Sequence, residues 1–543
     1  MQGLENILNY IIRFIKDFVR IDLIERLRLF FIRISRLLSK KNIVINNIDK
    51  KKFLFNTQYI WGFSELEFMS AAQLQLSGHN VKVIICDRLP YSEKEIVGLP
   101  SVRSYRRCFK RTKRYCKAYG ISYLTINAFL SNQNKKEAYE LSQQDFKEIE
   151  NYKKNGINLW DYAKRNHSHY FKGDIKPKGE YEDMFRKAFE SAYLIETAIS
   201  KILSKHRDYE IVSANGRYIQ TGIPIELNKN LGNSFYTYEV FRQGNGVIVD
   251  KNRCSMEQNM DDVWDELKLS KLSVEDIKRL YQSFDMQQKS INLEDKLWDE
   301  NIIDNEKEII SLLGIDSRKK IIACYPNVFW DSVHMGLNSV SKDLTSWLED
   351  MINFVKDRDE FQLIIRTHPA ELKAESNIQS KFTISDSLNE LFDKMPSNVI
   401  IIEPISNVSS YALANIADAN IVWNGTIGLE LALNGSKPIV IADAYYAKKG
   451  FTIDFLNFDD LANYLNNLQE KSGISKEEKR LLEIFSYNIR FKRKFNPPYY
   501  YKTWNYLYRF SDIRHGKNKA LDNFVGFLLD QNSYMNIGSF DFD

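Results

Sequence analysis

The chain has 543 residues, of which 44% are hydrophobic and 27% charged, and its formal net charge is +5. This length exceeds the roughly 250 to 300 residues at which a single core stops growing, so at least two globular domains are expected. The five cysteines are scattered, odd in number and without a CxxC pair, which argues against a disulfide framework or a zinc cage and fits a reducing cytoplasm.

Residues 1–48 are predicted to form a basic amphipathic helical segment. Residues 1–41 hold nine Lys or Arg and four Asp or Glu, a net of +5, and the other 67 bases and 67 acids cancel. Apolar residues recur there at three- and four-residue steps, without the roughly 20 apolar residues of a membrane span. We therefore expect residues 1–41 to lie on a membrane surface, with packing on the protein's own body as the alternative. The large apolar side chains disfavour a nucleic-acid arm.

Residues 49–255 alternate strand and helix patterns in a way that is typical of a doubly wound parallel sheet. A strand, a helix and a second strand between residues 53 and 87 form a first unit, and a similar unit begins at the strand that ends at Ala214. Residues 130–205 between them are helical and charged, which predicts an insertion. This part is predicted to be a Rossmann-like domain.

The second half of the chain repeats the pattern. Residues 256–315 are predicted to be a helical linker, and residues 316–470 a second Rossmann-like domain. Residues 471–543 turn helical and aromatic, and their last helix is expected to pack back on the first domain. The predicted fold class is therefore α/β, with two doubly wound domains facing a cleft lined by the carboxyl ends of their strands. Neither domain has a GxGxxG fingerprint or a P-loop, which disfavours dinucleotide oxidoreductases and P-loop hydrolases.

The stretch "RTHPAE" follows a predicted strand at residues 362–365 and carries three candidate functional residues. Arg366 can offer a planar fork to phosphate, and His368 can donate to a phosphate oxygen or exchange a proton near neutral pH. Glu371 lies one turn along if a helix starts at Pro369. A proline-initiated helix with exposed polar neighbours is the structural alternative.

The stretch "WNGTIGLE" follows another predicted strand. Asn424, Gly425 and Thr426 are expected to form a tight turn before a helix whose free backbone N–H groups can seat an anion. Glu430, one turn later, is placed to accept ribose hydroxyls. An ordinary turn between strand and helix is the alternative. Lys448, beside Lys449 after the last strand, is expected to pair with phosphate or an acidic acceptor, or to be a solvated loop residue.

Candidate residues in the first domain are fewer. Asn215, Gly216 and Arg217 follow a strand, and Arg217 is expected to face the cleft and contact a ligand. Glu65 and Glu239 are the carboxylates nearest the expected cleft, so each is a candidate catalytic base. An acid in the first turn of a helix also interacts favourably with the helix dipole, which is the alternative for Glu65. The pair His167 and His169 lacks a carboxylate or Cys partner, so no metal site is predicted.

These motifs carry a resemblance to a known family. Residues 318–455 resemble the carboxyl-terminal domain of GT-B glycosyltransferases, and more narrowly bacterial capsule and surface-polysaccharide biosynthesis proteins of the Kdo-transferase type. Those proteins share an HP pair after a strand and a later run that here reads "ADANIVWNGTIGLELALNGSKPIVI". The segment "WGFSELEFMSAAQLQLSGHNVKVIICD" is similar to their first βαβ unit. The chain departs at Asn424-Gly425, where a Ser or Thr pair is usual.

The resemblance implies a glycosyltransferase that moves a sugar from a nucleotide-activated donor to a surface polysaccharide or lipid-linked glycan acceptor in capsule or cell-envelope biosynthesis. It implies that residues 49–255 bind the acceptor and that residues 316–470 bind the donor. It also implies that His368 and Thr426 hold the donor's phosphate and that Glu430 contacts the nucleotide. No metal or other cofactor is expected, because fixed donors can stabilise the leaving phosphate. A cytoplasmic location at the inner face of the cell membrane fits the basic segment.

Two alternatives stay open. One is a teichoic-acid type transferase that moves a polyol phosphate from a CDP donor. The other is a non-catalytic glycan assembly subunit, since a fold does not guarantee an activity.

Overall fold

The computed structural model describes residues 21–38, 50–57, 64–87, 89, 102–173, 176–241, 246–288, 302–331, 338–373, 379–468, 473–494 and 510–535. Most of the predicted basic segment, at residues 1–20 and 39–48, lies outside this description. The chain divides into two compact units. Unit 1 comprises Met1–Asn166, Pro177–Met256 and Phe491–Asp543, and unit 2 comprises His167–Lys176 and Glu257–Arg490.

The strands form one six-stranded sheet in each unit and a small antiparallel hairpin in unit 1. In chain order they are β1 (Lys52–Asn56), β2 (Asn80–Ile85), β3 (Ser122–Thr125), β4 (Lys153–Lys154), β5 (Ile157–Asn158), β6 (Glu210–Ala214), β7 (Phe235–Phe241), β8 (Gly246–Lys251), β9 (Lys320–Tyr325), β10 (Phe361–Arg366), β11 (Val399–Ile402), β12 (Ala419–Val422), β13 (Ile439–Val440) and β14 (Ile453–Asp454).

The α-helices cover most of the remaining described chain. They are α1 (Ile21–Leu38), α2 (Ser64–Leu76), α3 (Val102–Tyr119), α4 (Asn132–Ser142), α5 (Phe146–Asn151), α6 (Leu159–Phe171), α7 (Glu182–Lys205), α8 (Ile219–Asn230), α9 (Asp261–Leu267), α10 (Val274–Gln288), α11 (Glu306–Leu313), α12 (Leu344–Val355), α13 (Ala370–Lys373), α14 (Ile384–Leu391), α15 (Ser410–Ile416), α16 (Ile427–Leu433), α17 (Phe458–Asn466), α18 (Lys476–Tyr487) and α19 (Lys519–Leu528).

Both large sheets have the same strand order. Unit 1 is ordered β3-β2-β1-β6-β7-β8 and unit 2 β11-β10-β9-β12-β13-β14. Counted within each sheet, this is the order 3-2-1-4-5-6 of doubly wound folds. All neighbouring strands run parallel except β7 and β8. The predicted α/β class with two doubly wound sheets is confirmed. The antiparallel β8 was not predicted, because an alternation of strands and helices predicts parallel strands only.

The core of unit 2 holds the carboxyl ends of its strands in place. All six residues of β10 are buried, as expected for a parallel strand covered on both faces. Trp347 of α12 and Trp423, just after β12, are nearly inaccessible, and their ring centroids lie 5.8 Å apart. Burying an aromatic or aliphatic side chain contributes roughly 1.5–3 kcal/mol. The loops that follow β9, β10 and β12 therefore start from fixed positions.

The carboxyl-terminal helices divide between the units. Helix α18 belongs to unit 2, whereas α19 belongs to unit 1. Phe527 of α19 packs edge-on against Tyr236 of β7, and Asp530 accepts from Lys51 Nζ at 2.8 Å and Lys251 Nζ at 2.6 Å. None of the helices in the described part of the chain combines the length and apolarity that crossing a bilayer requires.

Candidate active site

The strand order of unit 2 reverses between β9 and β12, and ligands of doubly wound sheets bind beyond the carboxyl ends of the strands at this switch point. Asn327, two residues after β9, donates from Nδ2 to Asn424 Oδ1 at 3.0 Å and to Asp331 Oδ2 at 3.1 Å. Its own Oδ1 accepts the Val328 N–H at 2.8 Å. The bond to Asn327 fixes the orientation of the buried Asn424 amide. The Asn424 Nδ2 is left as a hydrogen-bond donor, and no described residue accepts from it.

Asn327 and Asp331 were missed by the sequence analysis. The signal was present in "PNVFWD", which directly follows β9, the first strand of the sheet. In a doubly wound order, the residues after the first and fourth strands flank the switch point. Applied to this chain, that rule pairs the loop after β9 with Asn424.

His368 follows the neighbouring strand β10 and is half-buried. The Ala370 N–H donates to His368 Nδ1 at 3.1 Å, so the proton of the neutral ring lies on Nε2. Burial and, secondarily, the charge of Arg366 lower the pKa of His368 to about 4, while Asp331 acts in the opposite direction. The imidazole is therefore neutral at pH 7. It presents its Nε2–H as a donor after β10, the neighbour of the strand β9 that leads to Asn327.

Arg366 differs from its predicted role. The side chain is buried, and its Nη1 donates to the carbonyls of Thr367 and Glu403, both at 3.1 Å. Its Nη2 donates to the Ser406 carbonyl at 3.3 Å. The guanidinium group that we expected to bind phosphate thus donates to backbone carbonyl groups and connects β10 to the loop after β11. Burial lowers the pKa of Arg366 to about 10, so the guanidinium stays charged at pH 7 and contributes positive potential near His368.

Glu371 is fully buried, and it contacts the next helix of the chain. Its Oε1 accepts the N–H of Ile384 at 3.2 Å, the first residue of α14, while its buried Oε2 has no partner among the described residues. Burial, with Glu403 and Asp386 adding to it, raises the pKa of Glu371 to about 8. We expected a ligand contact from this residue, but the carboxyl group is neutral at pH 7 and caps a helix.

The raised pKa of Glu371 predicts a pH-dependent stability. The native state keeps a proton that the unfolded chain loses above pH 4.5, so stability falls as pH rises from about 4.5 through 8. Relative to Glu371→Gln, the free energy of unfolding of the wild type should fall by on the order of 3 to 5 kcal/mol over that pH range. Urea denaturation at pH 5 and pH 8.5 measures this difference. The exposed Glu360→Gln should leave the wild-type pH dependence unchanged, and a parallel dependence in Glu371→Gln would contradict the assignment.

The turn after β12 has the predicted location. Thr426 is exposed and precedes α16, and its hydroxyl makes no capping bond. The Gly425 carbonyl accepts the Tyr446 hydroxyl at 2.6 Å, which anchors the turn to the loop after β13. Glu430, one turn into α16, accepts the Tyr411 hydroxyl at 2.8 Å. Hydrogen bonds from Tyr446 and Tyr411 therefore hold the turn and the helix that follows it, while Thr426 is exposed to solvent.

The two lysines after β13 have different environments. Lys448 is exposed, and its Nζ lies 3.7 Å from Asp443 Oδ1, so it can reach a ligand phosphate. Lys449 is buried and forms an ion pair with Asp261 of α9. The pairing of Lys448 with phosphate or an acidic acceptor stays a prediction, whereas Lys449 joins two segments of unit 2.

In unit 1, Asn215, Gly216 and Arg217 lie at the carboxyl end of β6, beside the switch point with β1. Asn215 and Gly216 have φ angles of 34° and 86°, a left-handed region that Asn and Gly tolerate best. The Asn215 Oδ1 accepts the Arg217 N–H at 3.1 Å and the Thr221 hydroxyl at 2.8 Å. The turn is thus set by its own side chain, with Arg217 half-buried at the sheet edge.

Glu65 lies at the start of α2 as predicted, but in a buried ionic network. Its carboxylate accepts from Arg28 of α1, from the Tyr115 hydroxyl at 2.5 Å and from the Tyr119 hydroxyl at 3.1 Å. Both tyrosines belong to α3. Three donors from two other helices indicate that Glu65 has a structural role. A carboxylate in this environment does not suit the catalytic base for which Glu65 was a candidate.

Glu239 lies within β7, opposite Ile248 of β8, and the strand continues to Phe241. Its Oε1 accepts the Val240 N–H at 2.7 Å, and the side chain is half-buried. Its assignment as a catalytic base stays a prediction.

The described residues contain no group of three or more His, Cys, Asp or Glu side chains that could hold a metal ion. His167 is buried and stacks on Phe171, with ring centroids 5.1 Å apart. Its ring therefore belongs to an aromatic contact within α6.

No protein-family model and no curated protein sequence matches the chain. Among solved structures, it is similar to the KpsC β-Kdo 2,7 transferase of Thermosulfurimonas dismutans, with 12% identity, 53% of this chain and 79% of that chain covered, and a TM-score of 0.31. It is similar to a glycosyltransferase of Rickettsia africae, with 11% identity, coverage of 82% and 95%, and a TM-score of 0.22. It is also similar to the S. aureus MnaA–UDP structure, with 9% identity, coverage of 91% and 100%, and a TM-score of 0.24. Kdo transferases and other glycosyltransferases are thus among its structural neighbours, and similarity at this level concerns the fold alone.

Proposed function

We propose that the protein is a glycosyltransferase that binds a nucleotide-activated sugar at the carboxyl edge of the unit 2 sheet. One observation carries the proposal. A neutral histidine, His368, presents an N–H donor at the same sheet edge where Asn327 orients the Asn424 amide across the switch point. The resemblance of the surrounding motifs to Kdo-transferase type proteins supports the same assignment.

The proposed reaction breaks the bond between the sugar's anomeric carbon and the donor's phosphate oxygen. Electron density passes to that oxygen, and an acceptor hydroxyl forms the new bond and loses its proton. His368 Nε2–H, Asn424 Nδ2 and the Thr426 hydroxyl are proposed to donate to the phosphate as its charge grows. Donors fixed in advance need no reorganisation during the reaction. The positive charge of Arg366 is proposed to stabilise the departing phosphate through its electrostatic potential, without a direct contact.

Other polar side chains are proposed to bind the rest of the donor. Glu430, held by Tyr411, would accept ribose hydroxyls, and the exposed Lys448 would screen the phosphate charge. With these groups neutralising the leaving phosphate, we propose that transfer needs no metal ion. Asn215 and Arg217 at the unit 1 edge are proposed to contact the acceptor, a surface glycan or lipid-linked glycan of the cell envelope made on the cytoplasmic side. Glu239 is the remaining candidate for the base.

A nucleotide screen tests the donor site. Thermal unfolding would be followed with CMP, CDP, UDP, GDP and their sugars, because a ligand at a hundredfold excess over its Kd stabilises the native state by about 2.7 kcal/mol. We expect one nucleotide to stabilise the wild type and the control Asn463→Ala, an exposed position on α17. The same nucleotide should not stabilise Asn424→Ala.

The other outcomes separate the alternatives. No stabilisation by any nucleotide would contradict the proposal and favour a non-catalytic assembly subunit. Stabilisation by CDP with release of CMP and a phosphate-linked product would instead identify the polyol-phosphate transferase.

A further inference from the structure

Helix α1 exposes the apolar stripe that its sequence predicts. Phe30, Ile34, Leu37 and Leu38 are 62%, 38%, 65% and 63% exposed. Spacings of four, three and one residues place these side chains on one face of the helix. The opposite side, which includes the charged Glu25, is buried. A contiguous exposed apolar patch of this kind marks an interaction surface.

Buried ion pairs fix the orientation of α1. Glu25 Oε2 accepts from Arg111 Nε of α3 at 2.7 Å, and Arg28 forms an ion pair with Glu65 of α2. All four side chains are at least nine-tenths buried. Turning the apolar stripe inward would break both pairs and leave uncompensated buried charges, which is strongly unfavourable. The stripe therefore faces outward because the buried face of α1 holds it there.

Helix α3 lies beside α1 and adds positive charge to the same part of unit 1. It contains eight Lys or Arg and no acidic residue, and its Lys110, Lys113 and Lys117 are exposed at a helical spacing. The Arg36 Nη2 donates to the Lys117 carbonyl at 3.3 Å, so the carboxyl-terminal turns of the two helices are in contact. A row of exposed lysines thus accompanies the apolar stripe.

We propose that this surface, the α1–α3 face, docks on a bilayer that contains anionic lipid. The face is defined by Phe30, Ile34, Leu37 and Leu38 together with Lys110, Lys113 and Lys117. Apolar side chains of an interfacial helix enter the boundary between headgroups and acyl chains, while lysines remain among the headgroups. The absence of acidic residues along α3 matches the charge of anionic headgroups. The proposal is independent of sugar transfer and assigns α3, in addition to the amino-terminal segment, to the membrane contact.

Vesicle flotation of the full chain tests the α1–α3 face. The probes are vesicles of phosphatidylcholine alone and of phosphatidylcholine mixed with phosphatidylglycerol. We expect binding to the mixed vesicles, which weakens at high salt as surface charges are screened. A basic residue near an anionic surface strengthens partitioning about fivefold. The triple variant Lys110→Gln, Lys113→Gln, Lys117→Gln should therefore bind roughly a hundredfold more weakly.

The apolar contribution needs its own variant and controls. Phe30→Ser with Leu37→Ser should abolish flotation and leave thermal unfolding nearly unchanged, because both side chains are exposed. Two controls should bind like the wild type: Lys135→Gln with Lys147→Gln on exposed positions of unit 1, and Leu312→Ser, which is 59% exposed in unit 2.

Three results would overturn the proposal. They are equal binding to both vesicle types, no binding to either, and a wild-type dimer in solution that Phe30→Ser with Leu37→Ser converts to a monomer. The last result would assign the face to a second copy of the chain. Stabilisation by nucleotide is measured separately, so failure of the α1–α3 face and failure of the donor site are distinguishable.

Discussion

Replacing His368 with alanine should lower the turnover of sugar transfer by roughly 100- to 1,000-fold, which is the typical cost of removing one fixed donor to a developing oxyanion. The reason is that His368 Nε2–H is proposed to donate to the departing phosphate. The variant should also lose stabilisation by the donor nucleotide. Its own stability should change little, because the one described bond of the ring is to the first residue of the short helix α13.

The protonation state of His368 gives this prediction a second readout. With a pKa of about 4, the ring is neutral throughout pH 5.5 to 8, so turnover should show no step near pH 6.5 that depends on His368. If an imidazolium were required, turnover would instead fall as pH rises through 6.5. His368→Gln, which keeps an N–H donor, should retain part of the activity.

Two results would contradict the role of His368. One is unchanged turnover in His368→Ala. The other is a fall in turnover as pH rises through 6.5 that is present in the wild type and absent in His368→Gln, which would assign the catalytic form to a protonated ring.

The positions of His368 and Asn424 could be predicted from sequence because each follows a run of apolar residues that is long enough to be a buried strand. In a parallel sheet, such residues meet at one edge. Local pattern therefore located both residues without knowledge of their contacts. The same reasoning located the Asn215–Arg217 turn in unit 1.

The partners of Arg366 and Glu371 could not be predicted in the same way. Arg366 binds the carbonyl groups of Glu403 and Ser406, and Glu371 binds the N–H of Ile384. These partners lie 13 to 40 residues away and are backbone atoms, which carry no residue-specific signal. A sequence in which Arg and Glu lie beside a histidine is compatible both with ligand contacts and with buried hydrogen bonds to the backbone. Which of the two forms depends on how the following loops fold.

The basic character of α3 could not be predicted from the overall charge for a different reason. The excess charge of the chain equals that of residues 1–41, so the rest of the sequence appeared neutral. Helix α3 nevertheless has a net charge of +8, since it holds eight bases and no acids, and acids elsewhere in the chain cancel it. A sum over long segments hides such a helix, whereas a count over each predicted element would have found it.

Replacing Glu65 with alanine should destabilise unit 1 by about 3–5 kcal/mol, the usual cost of removing one partner from a buried ion pair. The variant leaves Arg28 buried without its carboxylate and removes the acceptor of the Tyr115 and Tyr119 hydroxyls. Helix α1 should then become accessible to protease, because the buried ion pair of Arg28 with Glu65 joins α1 to α2.

Glu65→Gln separates this structural role from the catalytic one. The amide keeps an acceptor oxygen for the tyrosines but removes the negative charge, so we expect an intermediate loss of stability. Turnover per folded molecule should be unchanged, since Gln cannot act as a base yet the unit keeps its fold. Urea denaturation, limited proteolysis of α1 and turnover corrected for the folded fraction measure the three effects. A stable Glu65→Gln protein without turnover would restore Glu65 as the base, because only a proton-accepting role requires its charge while the fold persists without it.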